Sequence, residues 1–422
     1  MKNGKSTTMP RLRFPAFRNR LGWESIRLGD ASTPVTERVG ERKLTPISIS
    51  AGVGFVPQAE KFGRDISGNQ YSLYTLVRDG DFVYNKGNSL RFPQGCVYQL
   101  RGWGEVAAPN VFISFRLKQG FVAEYFQYCF EKNIHGVQLK QNITSGARSN
   151  GLLNVSKDQF YGIGIPTPLP DEQQKIADCL SSLDKLIAAQ ARKVEALKSY
   201  KRGLMQQLFP RAGETVPRLR FPEFRDAPEW IEAPLGDLFD TSSGGTPERT
   251  KQEYWNGNIP WVTTSLVDFN FITKAEEFIS EEGLDNSSAK IFPKGTVLIA
   301  MYGQGITRGK VAMLGIPSAT NQACAAIIPN NKIEPSFTFV SLCGRYEEMR
   351  NLSNSGGQEN LSQTLLRALP FRYPKDVDEQ IRIVGFFSEI DVLTVGEIAK
   401  LDALKIYKEG LMQQLFPSNE EA

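Results

Sequence analysis

Residues 201–210, KRGLMQQLFP, and residues 408–417, KEGLMQQLFP, differ at one position in ten. The copy does not stop there. The same offset of 207 residues carries PRLRFPAF (Pro10 to Phe17) onto PRLRFPEF (Pro217 to Phe224), Trp23 onto Trp230, and Leu28-Gly29-Asp30 onto Leu235-Gly236-Asp237. Further on it carries Glu172-Gln173 onto Glu379-Gln380 and Asp184 onto Asp391. A unit of half a 422-residue chain is too long for a stacked solenoid repeat of roughly 20–50 residues. The chain therefore reads as an internal duplication of two domains, residues 1–165 and 217–372, each followed by a helical segment with its linker, 166–216 and 373–422.

The helical segments declare themselves by period. From Asp171 the seam runs Ile176, Leu180, Leu183, Ile187, Gln190, Val194, Leu197, Lys201, Leu204, Leu208, in alternating steps of four and three. Its copy runs Ile383, Phe387, Ile390, Thr394, Glu397, Leu401, Leu404, Lys408, Leu411, Leu415. Asp171 and Gln174 after P-T-P-L-P form a capping-box pattern at a helix start, and Phe-Pro at 209–210 and 416–417 closes both helices. One helix cannot bury such a seam alone, so the two are expected to pair. Under a pseudo-two-fold axis they run antiparallel, with the polar layer Gln190 and Glu397 near the axis fixing register at a cost in stability.

Charge separates the two copies. Residues 1–165 hold 22 Lys/Arg against 12 Asp/Glu, whereas 217–372 hold 15 against 18. A basic surplus suits a polyanion, although surplus charge is also what a solvated face carries. The five cysteines (Cys96, Cys129, Cys179, Cys324, Cys343) are scattered without a C-x-x-C pair, as expected of reduced thiols in a cytoplasmic protein. No run of eighteen apolar residues and no charged-then-apolar leader is present, so neither a membrane span nor a secretory signal is expected.

Away from the helices the sequence reads as short strands around loops. Phe82-Val83-Tyr84 and Cys96-Val97-Tyr98 flank NKGNSLRFPQG in the first copy; Val297 to Ala300 and Val311 to Leu314 flank MYGQGITRGK in the second. The frames match and the loops do not. Asn85, Lys86, Asn88, Ser89 and Arg91 in one loop, with Arg148 later in the same domain, and Tyr302, Gln304, Thr307, Arg308 and Lys310 in the other, are the residue types that bond base edges or phosphates. The alternative is two glycine-rich surface hairpins.

Catalytic chemistry is not legible. One histidine, His135, excludes a His-cluster metal site; a His-based relay is not expected, since a lone histidine is usually structural. The loop at Gly303 misses the phosphate-cradling G-x-x-x-x-G-K-[ST] pattern at Gln304 and Val311. Gly102-Trp103-Gly104-Glu105-Val106-Ala107 fits G-x-G-x-x-A, but Pro109 removes the helix that the motif needs. Neither Asp-Pro-Pro-Tyr nor Asn-Pro-Pro-Phe occurs, and Pro170-Asp171 sits at a helix cap.

Two variable domains, each opening with P-R-L-R-F-P-x-F and L-G-D and closing with D-E-Q, a heptad helix and G-L-M-Q-Q-L-F-P, resemble the specificity subunit of type I restriction-modification systems. GNIPWVTTSLV, YGQGITRGKVAML and RDGDFVYNKGN add to the resemblance, which covers nearly the whole chain. It implies a mixed α/β (α+β) fold with two similar target-recognition domains, each reading half of a split site in double-stranded DNA, joined by two long antiparallel coiled-coil helices. It implies no catalytic residue, metal or cofactor on this chain. S-adenosylmethionine, ATP and Mg2+ would sit on partners, two modification subunits that methylate adenines and two restriction subunits. The non-basic second domain departs from this picture, so a partner is expected to supply part of its phosphate contact. A solitary DNA-binding regulator would instead hold its site tightly without partners, and a helical assembly scaffold would show no salt-dependent DNA binding. The paired helices act as a ruler in this reading, with half-site centres about 10 base pairs apart and identical ends docking identical partner chains.

Overall fold

The computed structural model describes residues 7–87, 92–140, 153–302, 306–354 and 361–417. Two compact units emerge. The first comprises residues 1–191 with 400–422, and the second residues 192–399, so the division runs through both long helices.

In the first unit, an antiparallel sheet has the order Ser32–Pro34, Ile113–Leu117, Phe82–Asn85, Cys96–Gln99. The two inner strands, Phe82–Asn85 and Ile113–Leu117, are rich in β-branched and aromatic residues and are buried at their first three positions, which suits strands covered on both faces. Phe82 stacks on Phe115 at 5.2 Å, and Tyr84 on Phe160 at 4.4 Å. A second sheet pairs Trp23–Arg27 with Gly164–Thr167, bringing the start of the domain to the start of the first long helix. Thr7–Thr8 adds a short third strand beside Trp23–Arg27, and two-stranded ribbons pair Ile47–Ser50 with Gly54–Pro57 and Thr75–Arg78 with Glu105–Ala108.

The second unit repeats the frame strand for strand. Thr241–Ser243, Cys324–Ile327, Val297–Ala300 and Val311–Leu314 lie in the same order, with one strand, Asn270–Ile272, added in parallel beside the last. It also carries a sheet with no counterpart among the described residues of the first, ordered Glu277–Ile279, Trp255–Val262, Ser318–Thr320, Ile291–Phe292.

Both long helices have 39 residues, Pro170–Leu208 and Val377–Leu415. Each seam position expected from the heptads is buried or half-buried, Glu397 included. The pairing is antiparallel: in the second unit Lys193 takes Glu397 at 3.1 Å, and Lys201, eight residues further along the first helix, takes Asp391, six residues earlier on the second. In the first unit, Lys408 on the second helix reaches Asp184 on the first at 2.7 Å. In the second, Lys201 on the first helix reaches Asp391 on the second at 2.6 Å. These are the same two positions under the offset of 207.

The repeated helix end has an internal use. In the first unit Met412, Leu415 and Phe416 are buried in the core, with the Phe416 ring 5.4 Å from Tyr125 and 6.5 Å from Trp23. In the second, Leu204 and Leu208 are buried, and Phe209 packs 5.6 Å from Phe337 and 5.8 Å from Trp230. The end of one repeat thus closes the domain begun by the other. Apolar residues of LMQQLFP are consumed by these cores because tryptophan and helix rings surround them; only the Gln206-Gln207 and Gln413-Gln414 pairs face solvent.

The rest of the repeated vocabulary builds the seat. Arg13 forks onto Glu172 through two 2.7 Å bonds and donates to the carbonyls of Arg20 and Leu21, while the Trp23 indole N–H lies 3.3 Å from the same carboxylate. Arg220, Glu379 and Trp230 repeat this, with bonds of 2.8 and 2.7 Å and the carbonyls of Ala227 and Pro228. A buried ion pair persists only when its remaining donors and lone pairs are satisfied, which these carbonyls and indoles do. Leu12 N–H bonds Gln414 O, and Leu219 N–H bonds Gln207 O, both at 2.9 Å.

Candidate nucleic-acid interface

In each unit the third and fourth strands of the shared frame are joined by a ten-residue loop, 86–95 in the first and 301–310 in the second. Both loops leave the same end of the sheet. In both, the chain returns later to bond the loop base, Leu153 N–H to Lys86 O at 2.9 Å and Leu361 N–H to Met301 O at 3.1 Å. Equal length and equal tethering make these loops the natural sites for interchangeable side chains.

Their fittings differ. In the first unit the Asn85 amide is spent on the fold, donating to Ile49 O at 3.2 Å and accepting from Gly87 N–H at 2.8 Å. The half-buried Lys86 donates to Val155 O at 3.4 Å. Gly95 closes the loop at φ +79°, where a Cβ would stand 2.4 Å from Asn85 O. The adjoining helix Ile134–Lys140 holds this end, with His135 Nε2 3.4 Å from Gly95 O and Asn133 Nδ2 3.3 Å from Gln94 Oε1. Burial pushes the His135 pKa down to about 4, so the imidazole is neutral; Nε2 carries the proton that faces Gly95 O.

In the second unit, exposed Tyr302 leaves the strand, and half-buried Thr307, Arg308 and Lys310 follow on the return. Lys310 N–H bonds Thr307 O, and the Lys310 ammonium sits 2.7 Å from Asp268 rather than in open solvent. Helix Tyr346–Asn354 clamps the tip. Tyr346 Oη donates to Ile306 O at 2.6 Å, Arg350 reaches Tyr346 Oη at 3.1 Å, and Gly309, at φ +84°, leaves room for the Arg350 stem. Phe269 packs 5.2 Å from the Tyr346 ring.

The structure therefore groups Tyr302, Thr307, Arg308 and Lys310 on one loop and Asn85 with Lys86 at the base of the other. Asn88, Ser89, Arg91, Arg148 and Gln304 lie outside the described residues. Sequence reading missed Tyr346 and Arg350, whose i, i+4 spacing on a polar helix is the one local signal they carry. It also missed the ribbon Ile47–Ser50 with Gly54–Pro57, which Asn85 ties to the loop base.

Among the described residues no group of three or more His, Cys, Asp or Glu could hold a metal ion. Beside the second loop's clamp a cleft of about 1160 Å³ runs between Phe269, Phe339, Tyr346 and the first long helix. The thiol it contains, Cys343, is pushed up to about 12 by burial, the opposite of an activated nucleophile. No helix among the described residues is long and apolar enough to cross a membrane.

Comparison with known proteins agrees with this arrangement. A family profile described as type I restriction modification DNA specificity domain matches residues 98–199 and 228–403. The EcoR124I/EcoR124II specificity subunit of Escherichia coli is 27% identical over 241 residues, 54% of this chain and 56% of that one, so the chain spans about half the length of this relative. The MjaVIII specificity subunit of Methanocaldococcus jannaschii is 23% identical over 412 residues, 93% of this chain and 92% of that one. Among solved structures, the S subunit of a type I restriction-modification system from M. genitalium shares the fold at a TM-score of 0.53 and 16% identity, over 97% of this chain and 99% of that one.

Proposed function

The chain belongs to the type I restriction modification DNA specificity family, and on that premise we propose that it is the non-catalytic reading subunit of a methyltransferase and endonuclease complex. Each unit reads one half of a split site in double-stranded DNA, and the complex methylates adenines or cuts according to what is read. S-adenosylmethionine, ATP and Mg2+ act on the partner subunits, and the complex works in the cytoplasm. The observation that carries this reading is one strand frame built twice, holding two loops of equal length and equal tethering but unlike chemistry. A fixed frame with variable loops is what two independent readers require.

Two modification and two restriction subunits fit the duplication. Each unit exposes one leucine and one tyrosine at matching helix positions, Leu186 with Tyr407 in the first and Leu393 with Tyr200 in the second, beside a solvent-facing glutamine pair. Exposed apolar side chains repeated at the same register suit a partner that docks twice. The long helices serve as the spacer. In the second helix Glu397 is 3% exposed and takes Lys193 at 3.1 Å. Replacing residues 25–160 by those of a related chain should change only one half of the methylated site, read by sequencing methylated adenines in cells carrying the complex. A change in both halves would sink independent reading. Four residues inserted after Val194 add about 6 Å and should lengthen the unread gap without altering either half.

A further inference from the structure

In both units a second element shares the sheet end with the loop, the turn entering the neighbouring strand. Ile113 pairs with Tyr84, and Cys324 with Ala300, so the turns before Ile113 and Cys324 stand beside the loops at 86 and 301. In the second unit Met301 N–H bonds Ala323 O at 2.9 Å, joining turn to loop directly. Each turn carries one exposed carboxamide, Asn110 three residues before its strand and Gln322 two residues before its own.

These carboxamides are held alike by unrelated means. Asn110 Oδ1 accepts from Arg38 Nη1 at 2.6 Å and from Thr75 Oγ1 at 3.4 Å. Gln322 Oε1 accepts from Thr246 Oγ1. The segment that delivers Thr246 is built to no tolerance. A Cβ at Gly244 would meet Thr320 O at 1.9 Å, one at Gly245 would meet Ser288 Oγ at 2.2 Å, and the Trp261 indole N–H bonds Gly245 O at 3.0 Å. With the oxygen engaged, the amide nitrogen of each residue keeps its two N–H donors with no partner among the described residues.

We propose that Asn110 and Gln322 are specificity-determining residues, each presenting an oriented NH2 donor to a base edge, and that Arg38 and Thr246 are the positioning residues that hold the amide in that sense. Unconstrained, Asn or Gln offers a donor and an acceptor and pairs with adenine; with its oxygen occupied it is a donor only. In the major groove a donor is accepted by guanine O6 and N7, adenine N7 or thymine O4 and repelled by the cytosine amino group. Each half-site therefore contains one position that excludes cytosine through this contact. Neither residue was legible as a reader in the sequence, because its orienting partner lies 72 residues away in one case and 76 in the other.

This inference rests on the reading function proposed above, and one experiment separates the two. The chain is expressed with its modification subunit, and methylated adenines are mapped genome-wide for the wild type, Gln322→Ala, Asn110→Ala and Thr246→Val. A wild type that methylates no split site overturns the reading function itself. Given a split site, Gln322→Ala should lower discrimination roughly tenfold at one position of one half, and Asn110→Ala at one position of the other. Thr246→Val keeps the side-chain shape and should loosen the same position as Gln322→Ala, with assembly unchanged, a coincidence that a merely structural threonine would not produce. A split site retained at full discrimination in Gln322→Ala and Asn110→Ala overturns the proposal, as does loosening of both in one half or of a different position in Thr246→Val.

Discussion

The seat of the helix end and the reading loop lie within the same unit, yet they relate to their counterparts in opposite ways. Arg13, Trp23, Glu172 and Phe416 have replacements at every position in Arg220, Trp230, Glu379 and Phe209, and the bonds match to about a tenth of an ångström. The loops share length and tether only. One is held by Asn85, Asn133 and His135, the other by Tyr346, Arg350 and Asp268. Identity is kept where a buried ion pair admits one geometry, and variety is allowed where loops are held by separate single bonds, several of them to backbone carbonyls that many side chains can reach.

The strongest way to break this comparison is to remove one member of each seat. Arg13→Ala and Arg220→Ala each leave a buried carboxylate unpaired, which costs about 3–5 kcal/mol. Denaturant unfolding should give equal losses for the two variants. A cost in one unit and none in the other would mean that the seats are alike in geometry but not in energy.

Acid should separate the units next. His135 is buried with its pKa lowered to about 4, and it is the single histidine in the chain. Between about pH 6.5 and 4 the unfolded chain binds a proton that the folded one refuses, so stability falls as pH drops through that window, by up to about 3 kcal/mol. The loss should be confined to the first unit and vanish in His135→Gln, as followed by hydrogen exchange of each unit against pH. An acid-induced loss of equal size in the second unit would show that other groups dominate.

Within the loops the expected effects are smaller. Tyr346→Phe removes the hydroxyl that bonds Ile306 O while keeping the ring against Phe269, at a cost of about 0.5–1.5 kcal/mol. Discrimination should weaken in one half-site and leave the other intact. Weakening in both halves would contradict separate loops on separate frames.

What the sequence made legible follows the same division. The seam from Ile176 to Leu208 could be read because a heptad is a local pattern, and its burial agrees position by position. Glu172 could be noticed as repeated, but its partner Arg13 is 159 residues away, so no window reveals the pair. Asn85 has the right chemistry for a base contact, yet its amide is bonded to Ile49 and Gly87. Lys310 likewise reads as a free cation until Asp268, 42 residues earlier, appears beside it. Residue type names what a side chain can bond; only the fold decides what has already been bonded.

The finest test lies in the two lysines that the helices exchange. Lys408 meets Asp184 and Glu131, both at 2.7 Å, and lies 5.2 Å over the Tyr128 ring. Lys201 meets Asp391 at 2.6 Å, and Cys343 lies near it where the first unit has a second carboxylate. Burial alone would lower the Lys408 pKa, but hydrogen bonds to Asp184 and Glu131 outweigh it and raise the pKa, which marks this ammonium as well satisfied. Exposed ion pairs contribute about 0–1 kcal/mol, so both substitutions to alanine should be mild, with Lys408→Ala the costlier by a few tenths of a kcal/mol for its second carboxylate and its ring. Raising the salt concentration should shrink that difference, since screening acts on both carboxylates of Lys408 and on only one of Lys201. A difference of the opposite sign would mean that the cysteine side of the second unit packs against the Lys201 stem better than a carboxylate binds the head of Lys408. The helix pair would then be symmetric in sequence and geometry but held together by different forces at its two crossings.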